Sequence, residues 1–154
     1  MRPVRRLLPV LLLAALGLAG CGGEIDPAST PAGKAQVRQM EDLYNGRFGR
    51  TYENLLPAHR RLVSRELFAE CARRTIAVGD LASVEVLDVY NETIQVPRVG
   101  ERDTKAVRFR LTSVSGKTTE PDINHQLKVG ERWYWILNEE AVTAYEVGGC
   151  PTGQ

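Results

Sequence analysis

The sequence is poor in the residues that build most catalytic and metal centres. It has two histidines and three cysteines in 154 residues. Their spacing does not resemble a zinc or haem site, and no glycine-rich loop joins a strand to a helix as phosphate-binding loops do. The common metal-site and nucleotide-binding motifs are therefore excluded, and no cofactor and no metal ion are expected.

The longest apolar run lies at the N-terminus. Arg2, Arg5 and Arg6 precede the segment from Leu7 to Leu18, which is apolar apart from Pro9. About a dozen residues are too few for a permanent transmembrane helix, which needs about 20. A basic head, a short apolar body and small residues at the end predict a secretory signal peptide over residues 1–20.

Leu18-Ala19-Gly20-Cys21 closes this run and resembles the lipobox of bacterial lipoproteins. The resemblance implies cleavage before Cys21, a diacylglyceryl thioether on its sulfur and often a further acyl chain such as palmitate on the new amino terminus. The alternative is an ordinary signal peptide followed by a chance cysteine. Because two or three acyl chains anchor stably where one does not, we expect a protein anchored to the cell membrane on its extracytoplasmic face.

The segment after the leader is rich in proline and glycine. Residues 21–33 are predicted to be the lipidated cysteine and a flexible tether, and residues 34–154 a single domain. Without the leader the chain has 17 basic and 19 acidic residues, a formal net charge of −2. A slightly negative net charge does not predict binding to nucleic acid.

Two cysteines remain once Cys21 carries lipid. In an exported protein Cys71 and Cys150 are expected to form a disulfide bond, which would pin the C-terminal tail. The alternative is a reactive thiol pair, although the close Cys-x-x-Cys spacing of such pairs is absent.

Helices are predicted in the first half of the domain. Apolar residues at helical spacing predict a helix over 34–45, which ends at Gly46. Shorter helices are predicted over 51–56 and 58–63. Ser64 is typical of the N-cap of a further helix that ends at Arg73.

The second half of the domain has the patterns of strands. Alternating or β-branched residues predict strands over 84–96, 107–112, 122–129 and 133–137, followed by a short helix over 139–145. Helices followed by antiparallel strands predict an α+β fold, with N-terminal helices packed on a curved antiparallel sheet.

Two motifs carry a resemblance to a known family. Leu55-Leu56-Pro57-Ala58-His59 and Gly130-Glu131-Arg132-Trp133-Tyr134-Trp135, with Cys71 and Cys150-Pro151, are similar to segments of small lipoproteins of high-GC bacteria. These proteins resemble the nuclear-transport-factor-two-like, or cystatin-like, superfamily. The resemblance covers residues 34–151 and implies a conical α+β barrel open at one end. The motifs are packing motifs, so they imply a fold and not a reaction.

Some members of this superfamily are enzymes, among them ketosteroid isomerases and polyketide cyclases. They place an acid, a histidine or a tyrosine inside the cone. His125 is in phase with Ile123 and Leu127, so the weak catalytic candidates are His125 with Asp88 or Tyr90, for proton transfer next to a carbonyl. The alternative is that His125 is a hydrogen-bonded core or rim residue.

Other candidates have simpler interpretations. Arg108 and Arg110, with Trp133 and Trp135, could line an anion- or sugar-binding face, but a sheet that alternates between core and solvent gives the same pattern. His59 is expected to be solvated.

Two functions follow from these observations. The leading hypothesis is a non-enzymatic binding or accessory module of the cell envelope, anchored to the membrane by lipid, whose partner is an envelope protein or a small apolar ligand. The alternative is a cone-cavity enzyme of isomerase or cyclase type that uses His125.

Overall fold

The computed structural model describes residues 25–152. Within this range the chain is α+β, with five α-helices and one four-stranded antiparallel sheet, which confirms the predicted fold class. The helices are α1 (Pro31–Tyr44), α2 (Phe48–Glu53), α3 (Pro57–Arg60), α4 (Arg65–Thr75) and α5 (Glu139–Glu146). The leader and Cys21 lie outside the described residues.

Helix α1 begins earlier than predicted. The side chain of Thr30 accepts a hydrogen bond from the backbone N–H of Gly33, and Pro31 occupies the first helical turn, where its missing N–H costs nothing. A short 3₁₀ helix, Pro27–Ser29, precedes this cap, and Ala32 is buried. Residues 27–33, predicted to be part of the flexible tether, therefore belong to the folded domain.

The shorter helices follow their local signals. Ser64 caps α4 by accepting a hydrogen bond from the N–H of Leu67, as predicted. Helix α3 is only one turn long and ends at Arg60, three residues before the predicted end. Asn138 caps α5 by accepting a hydrogen bond from the N–H of Ala141.

The sheet has the simple order β1-β2-β3-β4, so each strand pairs with the next one along the chain. Its strands are β1 (Ser83–Val96), β2 (Gly100–Thr112), β3 (Asp122–Val129) and β4 (Arg132–Trp135). β2 begins seven residues before the predicted strand because its polar first half pairs with the polar end of β1. A bulge between Val86 and Asp88 shifts the register of that pairing.

Helix α1 packs across the sheet and contacts all four strands. Met40 and Leu43 of α1 bury against Phe109 of β2, while Ala32 packs with Val86 and Val107. In a further core cluster, Phe68 of α4 packs with Val142 and Tyr145 of α5, so the two helices share one apolar interior. Among residues 25–152, no helix is both long and apolar enough to span a membrane.

Cys71 and Cys150 lie at disulfide distance, with their Cα atoms 5.3 Å apart and their sulfur atoms 1.98 Å apart. Cys71 is buried on α4, and Cys150 lies in the segment after α5. Pro151, the next residue, is buried as well. The pair therefore holds the C-terminal segment against α4.

Candidate functional site

The described domain contains a large cavity, with a volume of about 920 Å³, that is open to solvent. This volume lies near the upper end of the range of small-molecule sites, about 300–1,000 Å³. Its wall comes from α1, the ends of β1 and β2, the loop into β3, and the segment between β4 and α5. The apolar part of the wall consists of Met40, Leu43, Tyr44, Ile76, Ile94, Phe109, Leu111, Ile123, Trp135, Ile136 and Leu137.

The charged part of the wall is acidic. Glu120, Asp122 and Glu139 line the cavity, and no lysine or arginine is among its lining residues in the described chain. Asp122 accepts a hydrogen bond from the backbone N–H of Ile123 at 2.7 Å, which fixes its carboxylate at the start of β3. The site therefore combines an apolar interior with a negative rim.

Arg98 bonds Glu139, one of the acidic residues that line the cavity. It stands in the turn between β1 and β2 with a φ of 62°, in the left-handed region that few non-glycine residues adopt. Its guanidinium donates two hydrogen bonds to Glu146, at 2.7 and 2.8 Å, and one to Glu139 at 2.8 Å. These contacts raise the pKa of Arg98, lower the pKa of Glu146 and tie the turn to α5. Because Arg98 is shared between Glu139 and Glu146, it offsets only part of the charge of Glu139. The unpaired carboxylates of the rim are Glu120 and Asp122, which have no ion pair among the described residues.

His125 lines the cavity and is half-buried, with 25% of its side chain exposed. Its Nε2 lies 2.7 Å from Oε2 of Glu92, a residue of β1 that sequence reasoning did not single out. The sequence gives no sign of this contact, because Glu92 and His125 are 33 positions apart. They meet only because β1 and β3 both pair with β2. A histidine–carboxylate pair is thus present at the wall of the cavity.

Asp88 and Tyr90, the predicted partners of His125, do not line the cavity. Asp88 is exposed, and its carboxylate accepts a hydrogen bond from the backbone N–H of Val89 at 2.8 Å. Tyr90 is exposed on the same strand. The register sets Tyr90 opposite Ala106 and Ala106 opposite His125, so Tyr90 lies on the same face of the sheet as His125, with Ala106 between them. The side chain that bonds His125 is therefore Glu92, and the grouping of His125 with Asp88 or Tyr90 inside a cone stays a prediction.

The arginine and tryptophan side chains do not form one surface. Trp135 is buried in the core, whereas Arg108 is exposed. Arg110 donates a hydrogen bond to Glu85 on the neighbouring strand at 2.6 Å. This is the alternation between core and solvent that the sequence also allowed.

His59 was expected to be solvated and is instead fully buried, with 0% exposure. Its Nδ1 accepts a hydrogen bond from the backbone N–H of Leu137 at 3.1 Å, and its Nε2 lies 2.9 Å from the carbonyl oxygen of Pro97. Burial lowers the pKa of its imidazole. Both bonding partners line the cavity, so His59 is a structural support of its wall.

Within residues 25–152 there is no group of three or more histidine, cysteine, aspartate or glutamate side chains arranged to hold a metal ion. Comparison with family models, curated proteins and solved structures finds no match for this chain. The resemblance to the nuclear-transport-factor-two-like superfamily thus stays a prediction, and the cavity itself is the strongest guide to function.

Proposed function

We propose that this protein is a lipid-anchored, extracytoplasmic binding module whose large cavity takes a small amphiphile. The ligand has an apolar body and a neutral or cationic polar end. The observation that carries the proposal is the composition of the cavity wall, which is apolar inside, acidic at the rim and without lysine or arginine. The lipobox at Cys21 supports the location.

Two contributions to the binding free energy, apolar burial and electrostatics, determine which ligands fit the cavity. Burial of an apolar body against side chains such as Ile94, Leu111 and Ile136 removes apolar surface from water, at about 25 cal/mol per Å². The carboxylates of Glu120 and Asp122 repel an anionic head group and attract a cationic one, because like charges at a low-dielectric wall cost free energy. The cavity therefore discriminates by charge among ligands of one shape.

Two fluorescent probes with the same aromatic skeleton test this discrimination. N-Phenyl-1-naphthylamine is neutral, whereas 8-anilinonaphthalene-1-sulfonate carries a sulfonate. We expect the neutral probe to bind at least about tenfold more tightly, which corresponds to about 1.4 kcal/mol. The E120Q/D122N variant should reduce the difference in affinity between the two probes, because it removes the two carboxylates that repel the sulfonate. Equal affinity of the wild-type protein for the two probes would contradict the proposal.

A filled cavity provides the second arm of the test. Leu111→Trp adds volume inside the cavity and should weaken binding of the neutral probe. Val114→Trp is the matched control, since Val114 is 67% exposed and does not line the cavity. If both substitutions change the affinity equally, the probe binds elsewhere and the proposal fails.

The pair of His125 and Glu92 supports a second candidate, an enzyme of isomerase or cyclase type. A histidine held at 2.7 Å from a carboxylate beside an apolar cavity is an arrangement suited to a general base. A cavity-bound ketone in deuterium oxide should then exchange its α-hydrogens. His125→Gln should abolish that exchange and leave binding of the neutral probe intact. Exchange at the uncatalysed rate with the wild-type protein rules this candidate out.

A further inference from the structure

A second groove, of about 340 Å³, lies between α1 and the turn from β3 to β4. Its chemistry is opposite to that of the large cavity. Pro31, Lys34, Ala35, Arg38 and Gln39 line it from α1. Their spacing of three and four residues places them on a single face of the helix, so this face of α1 forms one wall of the groove.

The charge of the groove is positive. Lys34 and Arg38 stand one helical turn apart, and Arg132 lines the groove at the start of β4. Among the described residues, none of these three cations has an ion pair with a carboxylate. Glu131 is the one acidic residue of the lining, and its carboxylate lies 3.6 Å from Nζ of Lys128.

A buried donor without a partner lies at the same wall. Nε2 of Gln126 donates hydrogen bonds to Oε1 of Gln36 at 2.9 Å and to Oε1 of Gln39 at 3.0 Å. The amide nitrogen of Gln39 has no hydrogen-bond partner, although the residue is only 1% exposed. A buried N–H without an acceptor costs free energy, so such a group favours an occupant that supplies one.

Gln39 can reach such an occupant because it lines the groove. Its Oε1 stays bonded to Gln126, so the amide nitrogen of the same carboxamide is the atom that lacks an acceptor. Asn54 and Trp133 line the same space. The wall therefore combines cations with neutral N–H groups, as sites for tetrahedral oxyanions do.

The geometry points to a binding site for a phosphate group in this groove, carried on a phosphate ester. Lys34 and Arg38 supply the charge, and Gln39 and Asn54 supply amide donors. A phosphate has more acceptor oxygens than a carboxylate and so can use donors that converge from separate elements. A volume of about 340 Å³ leaves room for part of the ester as well.

The phosphate could come from a soluble ester or from a phospholipid head group. The groove lies at the first turns of α1, ten residues after Cys21, so acylation of that cysteine would hold it near the membrane. This lipid arm rests on the proposed lipid anchor, whereas the phosphate site itself does not.

Calorimetric titration of the purified full chain tests the site with two probes. Glycerol 3-phosphate represents the soluble ester, and dihexanoyl phosphatidylglycerol, kept below its micelle concentration, represents the head group. Binding of either probe supports the phosphate site, and the tighter probe identifies the source. Failure of both probes to bind overturns the proposal.

Matched variants locate the binding. We expect K34Q/R38Q to weaken binding at least about tenfold. The control R61Q/K117Q removes the same net charge from two exposed side chains outside the groove and should leave binding within about twofold. Equal losses in the two double variants would mean nonspecific attraction and overturn the site.

Gln39→Met tests the buried donor, because it keeps the length of the side chain and removes the amide. Phosphate binding should weaken while the neutral apolar probe still binds in the large cavity. Full phosphate affinity in this variant would contradict the role given to Gln39. Since the apolar probe reports on the other cavity in the same samples, failure of this site and failure of the proposed function are distinguished.

Discussion

His59 accepts a hydrogen bond at Nδ1 from the backbone N–H of Leu137, across a sequence distance of 78 residues. Because Nδ1 is an acceptor, the ring proton is on Nε2, which donates to the carbonyl oxygen of Pro97 at 2.9 Å. One neutral imidazole thus joins α3 to the β1–β2 turn and to the segment after β4. These last two segments both contribute to the wall of the large cavity.

The unfolding free energy is expected to fall as the pH drops below about 6.5. Burial lowers the pKa of His59 in the folded state below its ordinary value of 6.5. The unfolded chain therefore binds more protons in this range, and stability decreases from pH 6.5 down to the folded-state pKa. Urea denaturation at about pH 7.5 and about pH 5 measures the change.

A variant of His59 separates this effect from others. His59→Gln should lose part of the pH dependence, because the buried imidazole that titrates in this range is absent. The acidic residues Glu85 and Glu146 have a lowered pKa, so their contribution is lost only as the pH falls below about 4.5. Stability that does not change between pH 7.5 and 5 would contradict the assignment of a neutral buried His59.

Removal of the His59 ring should be costly at every pH. His59→Ala leaves the N–H of Leu137 and the carbonyl of Pro97 without this partner in a buried region, at about 1–3 kcal/mol for each group. We expect a loss of about 3 kcal/mol in unfolding free energy. His125→Ala, at a partly exposed pair with Glu92, should cost less than about 1 kcal/mol. Equal losses for the two variants would be inconsistent with the structural role of His59.

The cysteine pair should make a large contribution to stability. Cys71 and Cys150 are 79 residues apart, and a disulfide that closes a loop of this length stabilises by about 4.5 kcal/mol in the chain-entropy model. C71S/C150S should therefore lower the urea midpoint strongly, and a reductant should lower that of the wild-type protein to a similar value. An unchanged midpoint with reductant would show that the thiols are not bonded.

The lipid anchor makes a simple prediction for Cys21. In a bacterial host that processes lipoproteins, the wild-type chain should incorporate labelled palmitate and sediment with membranes. Cys21→Ala should do neither, because the acylated thiol is absent. Cys71→Ala is the control and should retain the label. Palmitate on the Cys21→Ala chain would exclude Cys21 as the lipidation site.

Local signals in the sequence predict much of the fold. The hydroxyl of Ser64 and the alternation of Val107 and Phe109 determine a helix start and a strand face through neighbouring residues. The polar half of β2, from Glu101 to Lys105, has no such alternation. It becomes a strand only because it pairs with an equally polar stretch of β1.

The site is harder to predict because its contacts are distant in sequence. His59 is followed by Arg60 and Arg61 on a one-turn helix, which is the local pattern of a solvated histidine. Its hydrogen-bond partners are backbone groups, so no particular side chain in the sequence indicates them. Glu92 likewise meets His125 only through the register of three strands.

The most direct test of the account is the position of N-phenyl-1-naphthylamine bound to the isotope-labelled protein. Intermolecular nuclear Overhauser effects would identify the methyl groups that contact the probe. The account predicts contacts to Ile94, Leu111 and Ile136, which line the large cavity. Contacts confined to the exposed side chains of Val114 and Val129, or no contacts at all, would contradict it.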